Sequence, residues 1–271
     1  MRISFIGGGN MASALIAGLA GKLTSGELIH VVDPNAEALD KLRLAHGVTT
    51  ANSIGPELAA CDIIVLAVKP QQMRDVAAAL KPHLNANPLI LSIAAGIRAA
   101  DLARWLGGYG AIVRTMPNTP ALIGRGITGM VATDGVSAPQ RIAADQVMQA
   151  VGATVWLDNE ALIDPVTAVS GSGPAYVFFF IEAMQQAAVE MGLSAEQGRQ
   201  LALATFAGAA QLAVQSDDSV PVLRQKVTSK GGTTHAAITS MEQSGVKEKI
   251  VEAMKAAAAR GRELGEEMGK D

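Results

Sequence analysis

The sequence predicts an α/β protein in two parts: a parallel sheet covered by helices over residues 1–160, then an all-helical domain over residues 161–271. Three observations carry this. Short aliphatic runs alternate with amphipathic stretches through the first part of the chain. A glycine-rich turn stands between the first run and the first helical stretch. The strand pattern stops after Leu157, and only helical periodicity follows, which places the boundary near Asp158–Asp164.

The aliphatic runs are Ile3–Ile6, Leu28–Val32, Ile63–Val68, Leu89–Ile93, Ala111–Thr115, Ile127–Ala132 and Thr154–Leu157. Between them the spacing predicts helices over Asn10–Lys22, Asn35–Ala45, Gln71–Leu80, Ala99–Leu106 and Pro139–Val151, set off by Gly, Pro or Asn. In the second part Pro174 falls where a first helical turn accepts proline, ahead of Ala175–Met191. Ser194 and Gln197 form a capping box that opens a helix from Ala195 to about Gln215. Asp218 or Ser219 caps a further helix with Pro221 early in it, and Ser229–Gly232 is a loop before helices over Thr233–Gln243 and Val246–Glu266. The stretch Ala175–Met191 is apolar on more than one face, so burial against a second copy of the chain is expected.

Composition narrows the function classes. Hydrophobic residues make up 49% and charged residues 17% of the 271, the balance of a packed protein rather than a disordered one. The 22 basic residues are dispersed among 25 acidic ones for a net charge of −3, and aromatics are 3%, so no nucleic-acid surface is expected. No stretch approaches the roughly 20 apolar residues of a membrane span. Gly7-Gly8-Gly9-Asn10 interrupts what would otherwise imitate a secretory leader. The single cysteine, Cys61, reads as a small buried hydrophobe and not as a nucleophile. A cytoplasmic protein with no metal site is the expectation, since His30, His46, His83 and His235 show no ligand spacing.

The glycine turn is the first chemical signal. Ile6-Gly7-Gly8-Gly9-Asn10-Met11-Ala12 follows the first strand and opens the first helix, fitting G-x-G-x-x-A in the context a Rossmann-type dinucleotide site requires. Gly7 permits the turn, Gly9 lets backbone approach a pyrophosphate, and Ala12 lets helix and strand pack closely. The helix N-terminus supplies amide N–H groups to the phosphates. Asp33 ends the second strand about 20 residues beyond this turn, where an acidic side chain meets the adenosine ribose hydroxyls, a geometry that favours NAD. A plain turn in Asp33-Pro34-Asn35 that caps the next helix is the equal alternative. Ala67-Val68-Lys69-Pro70 ends the third run at the same crevice, with Lys69 a phosphate contact, a part of the nicotinamide pocket or, equally, a solvated loop residue.

In their order the motifs resemble pyrroline-5-carboxylate reductase. They are the glycine turn, Ala67-Val68-Lys69-Pro70-Gln71, Ser92-Ile93-Ala94-Ala95-Gly96, Arg114-Thr115-Met116-Pro117-Asn118-Thr119-Pro120, Ser170-Gly171-Ser172-Gly173-Pro174-Ala175-Tyr176, and Val227-Thr228-Ser229-Lys230-Gly231-Gly232-Thr233-Thr234. The resemblance implies a Rossmann-type domain followed by an all-helical dimerisation domain, a homodimer or higher homo-oligomer, and a role in proline biosynthesis. The implied reaction is hydride transfer from NADPH, or from NADH, to a small cyclic imine acid. It places Asn52, Ala94, Ala95 and Gly96 beside the cofactor, with Met116, Pro117 and Asn118 at the same crevice; Met116 is otherwise an ordinary core residue, and Asn118 a turn between two prolines. It also implies that Gly232 and Thr233 cradle the substrate carboxylate and that the Thr234 hydroxyl lies near the ring nitrogen. Helix capping by the two threonines is the plainer alternative. Asp33 departs from the Ser, Thr or Arg common near this position in the family.

Two other functions fit parts of the pattern. A β-hydroxyacid-dehydrogenase-like enzyme shares the plan, but resembles its kin in using a lysine at the start of the second domain. Here no lysine lies between Lys81 and Lys226. A nucleotide-sensing protein without turnover would keep the glycine turn but would have no use for a second anion cradle.

Overall fold

The computed structural model describes residues 1–270. Among them eight strands form one sheet in the order β3-β2-β1-β4-β5-β6-β7-β8. The strands are β1 (Ile3–Ile6), β2 (Ile29–Val32), β3 (Thr49–Ala51), β4 (Ile63–Leu66), β5 (Leu89–Ser92), β6 (Ile112–Met116), β7 (Gly126–Ala132) and β8 (Gly152–Trp156). Helices α1 (Asn10–Leu19), α2 (Ala36–His46), α3 (Met73–Leu80), α4 (Ala99–Trp105) and α5 (Ala138–Gln149) alternate with them. The order reverses direction at β1, beside β4, which is where doubly wound sheets bind their ligands.

The sheet is built from side chains that alternate between two cores. On β4, Ile63 and Val65 join Phe5, Leu15, Val31, Leu91 and Met130 on one face. Ile64 and Leu66 join Ile6, Met73, Leu80, Ile90 and Leu102 on the other. Both faces are buried, so these strands read as continuous apolar runs. Cys61 belongs to the second core, and burial pushes its thiol pKa up.

Two expectations about the sheet need correction. Seven runs were read, but β3 is an additional strand of three partly exposed residues with no apolar signature. Nor is the sheet all parallel: β7 pairs antiparallel with β6. The connection between them holds only a short 3₁₀ turn at Thr119–Ile123, too little chain for the crossover a parallel neighbour needs. The first helix also stops at Leu19, short of the expected Lys22, because Ala20 is extended and Gly21 turns the chain at φ +75°.

Contacts group the chain into two compact units, one of Met1–Ser172 with the chain from Ala257 on, and one of Gly173–Ala256. The short helix α6 (Ile163–Val166) and the π-turn Thr167–Gly171 belong to the sheet unit. They pack so closely that a Cβ on Gly129 of β7 would lie 2.7 Å from Val166 Cγ1, and one on Gly171 would lie 2.7 Å from Met116 Cε. Helical periodicity therefore begins earlier in the sequence than the change of compact unit.

An ion pair between a buried arginine and a glutamate 31% exposed fastens this region. Arg114 on β6 donates to Glu160 Oε1 at 2.7 Å, with the arginine side chain only 6% exposed, and the same oxygen accepts the Ala99 N–H at the start of α4, also at 2.7 Å. Arg114 Nε has no further partner among the described residues. Glu160→Ala leaves a buried guanidinium and an amide without their protein partner, and is expected to cost about 2 kcal/mol of stability in denaturant titration.

The helical unit contains α7 (Gly173–Glu190), α8 (Ala195–Gln215), α9 (Val220–Lys226), α10 (Thr233–Gln243) and the first part of α11 (Val246–Met268). Both hydrogen bonds of the Ser194/Gln197 capping box are formed, so α8 begins where the sequence places it. No described helix is long and apolar enough to cross a membrane. Phe178 and Phe179 on α7 are 60% and 69% exposed, and Leu201, Leu212 and Met241 also face outward. This unit leaves much of its apolar surface uncovered by its own chain.

Candidate functional site

In the sheet unit the residues after each parallel strand line up along one edge. Ile6 registers with Val32 and Leu66, Val32 with Ala51, and Leu66 with Ser92. The next residues continue the ladder: Gly7 N–H donates to Val32 O at 2.8 Å, Asp33 N–H to Ala51 O at 3.2 Å, and Ala67 N–H to Ile6 O at 2.8 Å. Asn52, Asp33, Gly7, Ala67 and Ile93 thus form a row, followed in their own loops by Gly8–Ala12, Val68–Pro70 and Ala94–Gly96.

Gly7 and Gly9 of the turn differ in what they require. Gly7 has φ +103°, and a Cβ there would lie 2.6 Å from the Ala67 carbonyl oxygen. Gly9 is the N-cap of α1, with no side-chain cap, and its missing Cβ would meet nothing within 4 Å. The turn therefore presents bare backbone and the uncapped first N–H groups of α1 to open space, which suits a pyrophosphate. Ala12 is buried against the core, as close helix–strand packing requires.

Asp33 is more than a cap. Its Oδ2 accepts the Gly8 N–H at 2.7 Å and its Oδ1 accepts the Asn35 N–H at 2.8 Å. The cap of α2 is Asn35, whose Oδ1 accepts from Ala38 N–H at 3.3 Å. Asn52 and Lys69 are exposed, Ala94 is buried and Ala95 exposed, so the crevice has an apolar wall with polar groups at its rim.

The helical unit carries the second motif. Thr228 and Ser229 end the turn after α9, Gly231 takes φ +76°, and Gly232 is the N-cap of α10. A Cβ on Gly232 would lie 2.8 Å from the rotatable Ser229 Oγ and 3.2 Å from Ser229 O, a tight but not forbidden fit. The Gly232 N–H is already donated to Ser229 O at 3.0 Å. Thr233 and Thr234 are the first two helical residues, both exposed, and no side chain caps α10. The amides of Thr233, Thr234 and His235 are the uncapped donors of this helix end.

Comparison with known proteins shows the same plan end to end. Residues 160–264 match the family model for pyrroline-5-carboxylate reductase dimerisation, and residues 2–96 match that for NADP oxidoreductase, coenzyme F420-dependent. The chain is 46% identical over 269 residues to pyrroline-5-carboxylate reductase of Pseudomonas aeruginosa, covering 99% of this chain and 98% of that one. The chain belongs to the pyrroline-5-carboxylate reductase family. Solved members superpose on it: the reductase of Coxiella burnetii at TM-score 0.93 and 39% identity, covering 97% of this chain and 98% of that one. The Plasmodium falciparum reductase, solved with NADP bound, superposes at 0.85 and 32% identity, covering 98% of each chain.

For a pyrroline-5-carboxylate reductase chain, some structural ties at the site have no signature in the sequence. Asn118 donates through Nδ2 to Ser170 O at 3.1 Å and accepts through Oδ1 from Ile127 N–H at 2.9 Å, so it braces the loop after β6. Ser92 Oγ accepts the Ala94 N–H at 3.4 Å, and Thr115 donates to Ser92 O at 2.9 Å, fixing the loop that carries Ala94–Gly96. The clasp of Asp33 on Gly8 joins residues far apart in sequence, and only the position of Asp33 at a strand end hinted at it.

Proposed function

We infer that this chain reduces 1-pyrroline-5-carboxylate to proline with NADPH or NADH, the last step of proline biosynthesis. The observation that carries the reading is the presence, in a chain of this family, of a dinucleotide crevice together with a second uncapped, glycine-bared helix start at α10. In this reading residues 1–160 bind the cofactor, and residues 161–271 take the substrate and form the oligomer.

The roles follow from the chemistry. The bound cofactor supplies a hydride, which an electron-poor imine carbon accepts. Gly7–Ala12 hold the pyrophosphate, Asp33 and Asn52 border the adenosine ribose, and Ala67–Pro70 with Ala94–Gly96 wall the nicotinamide side. At α10 the substrate carboxylate is received by the amides of the first turn, with Gly232 admitting it closely because it has no side chain. The Thr234 hydroxyl orients the ring nitrogen. A protonated imine is already electrophilic and its nitrogen stays in the ring as an amine, so no strong general acid is needed. That agrees with the absence of lysine between Lys81 and Lys226.

Oxidation of NAD(P)H on adding the imine acid to purified full-length protein, and not on adding a β-hydroxyacid or its keto form, tests this. The exposed apolar helices further support a homodimer that assembles through residues 161–271. Tyr176, Phe179, Phe180, Ile250 and Met254 line an apolar hollow of about 330 Å³ within that unit. Light scattering is expected to find a dimer or larger species at micromolar concentration, and a stable, active monomer would contradict it.

A further inference from the structure

We propose that Gly265, near the end of α11, is a positioning residue for the cofactor: it seats the helix against the Ala94–Gly96 loop and so fixes the backbone that walls the nicotinamide. The inference rests on the reading that this loop borders the nicotinamide, and it adds an element that none of the sequence motifs contains.

Three observations support it. First, the loop meets the helix at its apex. Gly96 turns the chain at φ +75°, and a Cβ there would lie 3.7 Å from Leu264 Cβ and 3.9 Å from the Leu264 carbonyl oxygen. Among the described residues of α11, Gly265 alone is buried. A Cβ on it would lie 3.3 Å from Arg98 Nε and 3.6 Å from the Gly96 carbonyl oxygen. Helix and loop backbones therefore approach with room for no more than a methyl group between them.

Second, the helix is anchored just beyond that contact. The chain from Ala257 on groups with the sheet unit. Arg98 Nη2 reaches Glu266 Oε1 at 3.5 Å, Arg104 Nη2 donates to Gly269 O at 2.8 Å, and Met268 packs against the second core. These ties set the height at which Gly265 meets the loop.

Third, the sheet holds the same loop from its other side. Ser92 Oγ accepts the Ala94 N–H at 3.4 Å, Glu160 Oε1 accepts the Ala99 N–H at 2.7 Å, and Ile97 is buried in the second core. Ala95 is left exposed between the two clamps. A segment packed on both sides transmits a displacement instead of absorbing it. Misplacing a reacting ring by about 1 Å can cost about 100-fold in rate.

The test compares NADPH with 2′-phospho-ADP-ribose, its counterpart without the nicotinamide ring, on the full-length protein. Gly265→Leu puts three carbons beyond Cβ into space held by Gly96 and Arg98. It is expected to lower kcat roughly 10- to 100-fold and to weaken NADPH about 10-fold in calorimetry, with 2′-phospho-ADP-ribose within about twofold of native. Gly265→Ala, whose methyl need displace only the flexible end of Arg98, should keep native turnover and affinity. Equal weakening of both ligands with a lowered melting temperature is the mark of a purely structural glycine and overturns the proposal. So does a folded Gly265→Leu with native turnover. If that variant melts too early to assay, Arg98→Ala is read instead, because it removes the stem against Gly265 and the tie to Glu266; an unchanged NADPH preference and turnover there overturns the proposal equally. Ala95→Leu alters the exposed face of the loop directly and should also weaken NADPH relative to 2′-phospho-ADP-ribose. If it does not, the placement of the loop at the nicotinamide fails; if it does while Gly265→Leu stays native, only the role of Gly265 fails.

Discussion

Gly7→Ala is expected to destabilise the sheet unit by about 3 kcal/mol and to abolish measurable binding of ADP-ribose. At φ +103° an alanine is strained, and its Cβ would press to 2.6 Å on the Ala67 carbonyl oxygen, at the end of the β1–β4 ladder. Relief requires the turn to lift off β4, which breaks the Gly8 clasp on Asp33 and misaims the first turn of α1. Gly9→Ala is the informative companion, because Gly9 has an ordinary extended conformation and open space where the methyl would go. It should leave stability within about 0.5 kcal/mol of the native protein while weakening pyrophosphate binding. Thermal unfolding and calorimetry on both variants check the pair; native-like binding by Gly7→Ala would contradict the role given to the turn.

Thr234→Ala is expected to lower kcat/KM for the imine acid by roughly 10- to 100-fold, about 1.4–2.7 kcal/mol of transition-state stabilisation, with NAD(P)H affinity nearly unchanged. Thr234→Ser should recover most of the activity, since the hydroxyl makes the proposed contact. A capping threonine would behave differently, costing about 0.5–2 kcal/mol of fold stability on truncation with little specific kinetic defect. The geometry separates the two roles: Gly232 occupies the N-cap, and Thr234 is the second residue inside α10, exposed and not a cap. A lowered melting temperature with normal kcat/KM would sink the substrate contact.

How much of this was legible in the sequence depends on how local each cause is. The start of the helix over Ala195–Gln215 is legible to the residue, because Ser194 and Gln197, three positions apart, open it with two reciprocal hydrogen bonds. The helix over Thr233–Gln243 is equally plain, following Gly231 at positive φ and opened by Gly232 at its N-cap. Buried strands announced themselves as aliphatic runs, but β3, at a sheet edge with Thr49, Thr50 and Ala51, has nothing to announce. The antiparallel turn of β7 follows from the length of a connection whose 3₁₀ segment periodicity does not resolve.

At the site, the glycine turn and Asp33 were visible because spacing and strand ends carry their chemistry. Their mutual hydrogen bond was not, nor was the Arg114–Glu160 pair, since such ties join residues whose neighbours say nothing of each other. The assignments of Gly232, Thr233 and Thr234 come from the family resemblance, since local pattern alone favours helix capping by the threonines. The Gly232 amide is already donated to Ser229 O, so the proposed cradle would draw its donors from Thr233 onward.

The central claim is direct hydride transfer to the imine carbon of 1-pyrroline-5-carboxylate, and isotope transfer tests it most directly. Incubating the protein with the imine acid and NADH deuterated at the transferable C4 position should yield proline carrying one deuterium at C5, the former imine carbon. Proline without deuterium at that carbon, or no proline at all, would contradict the account.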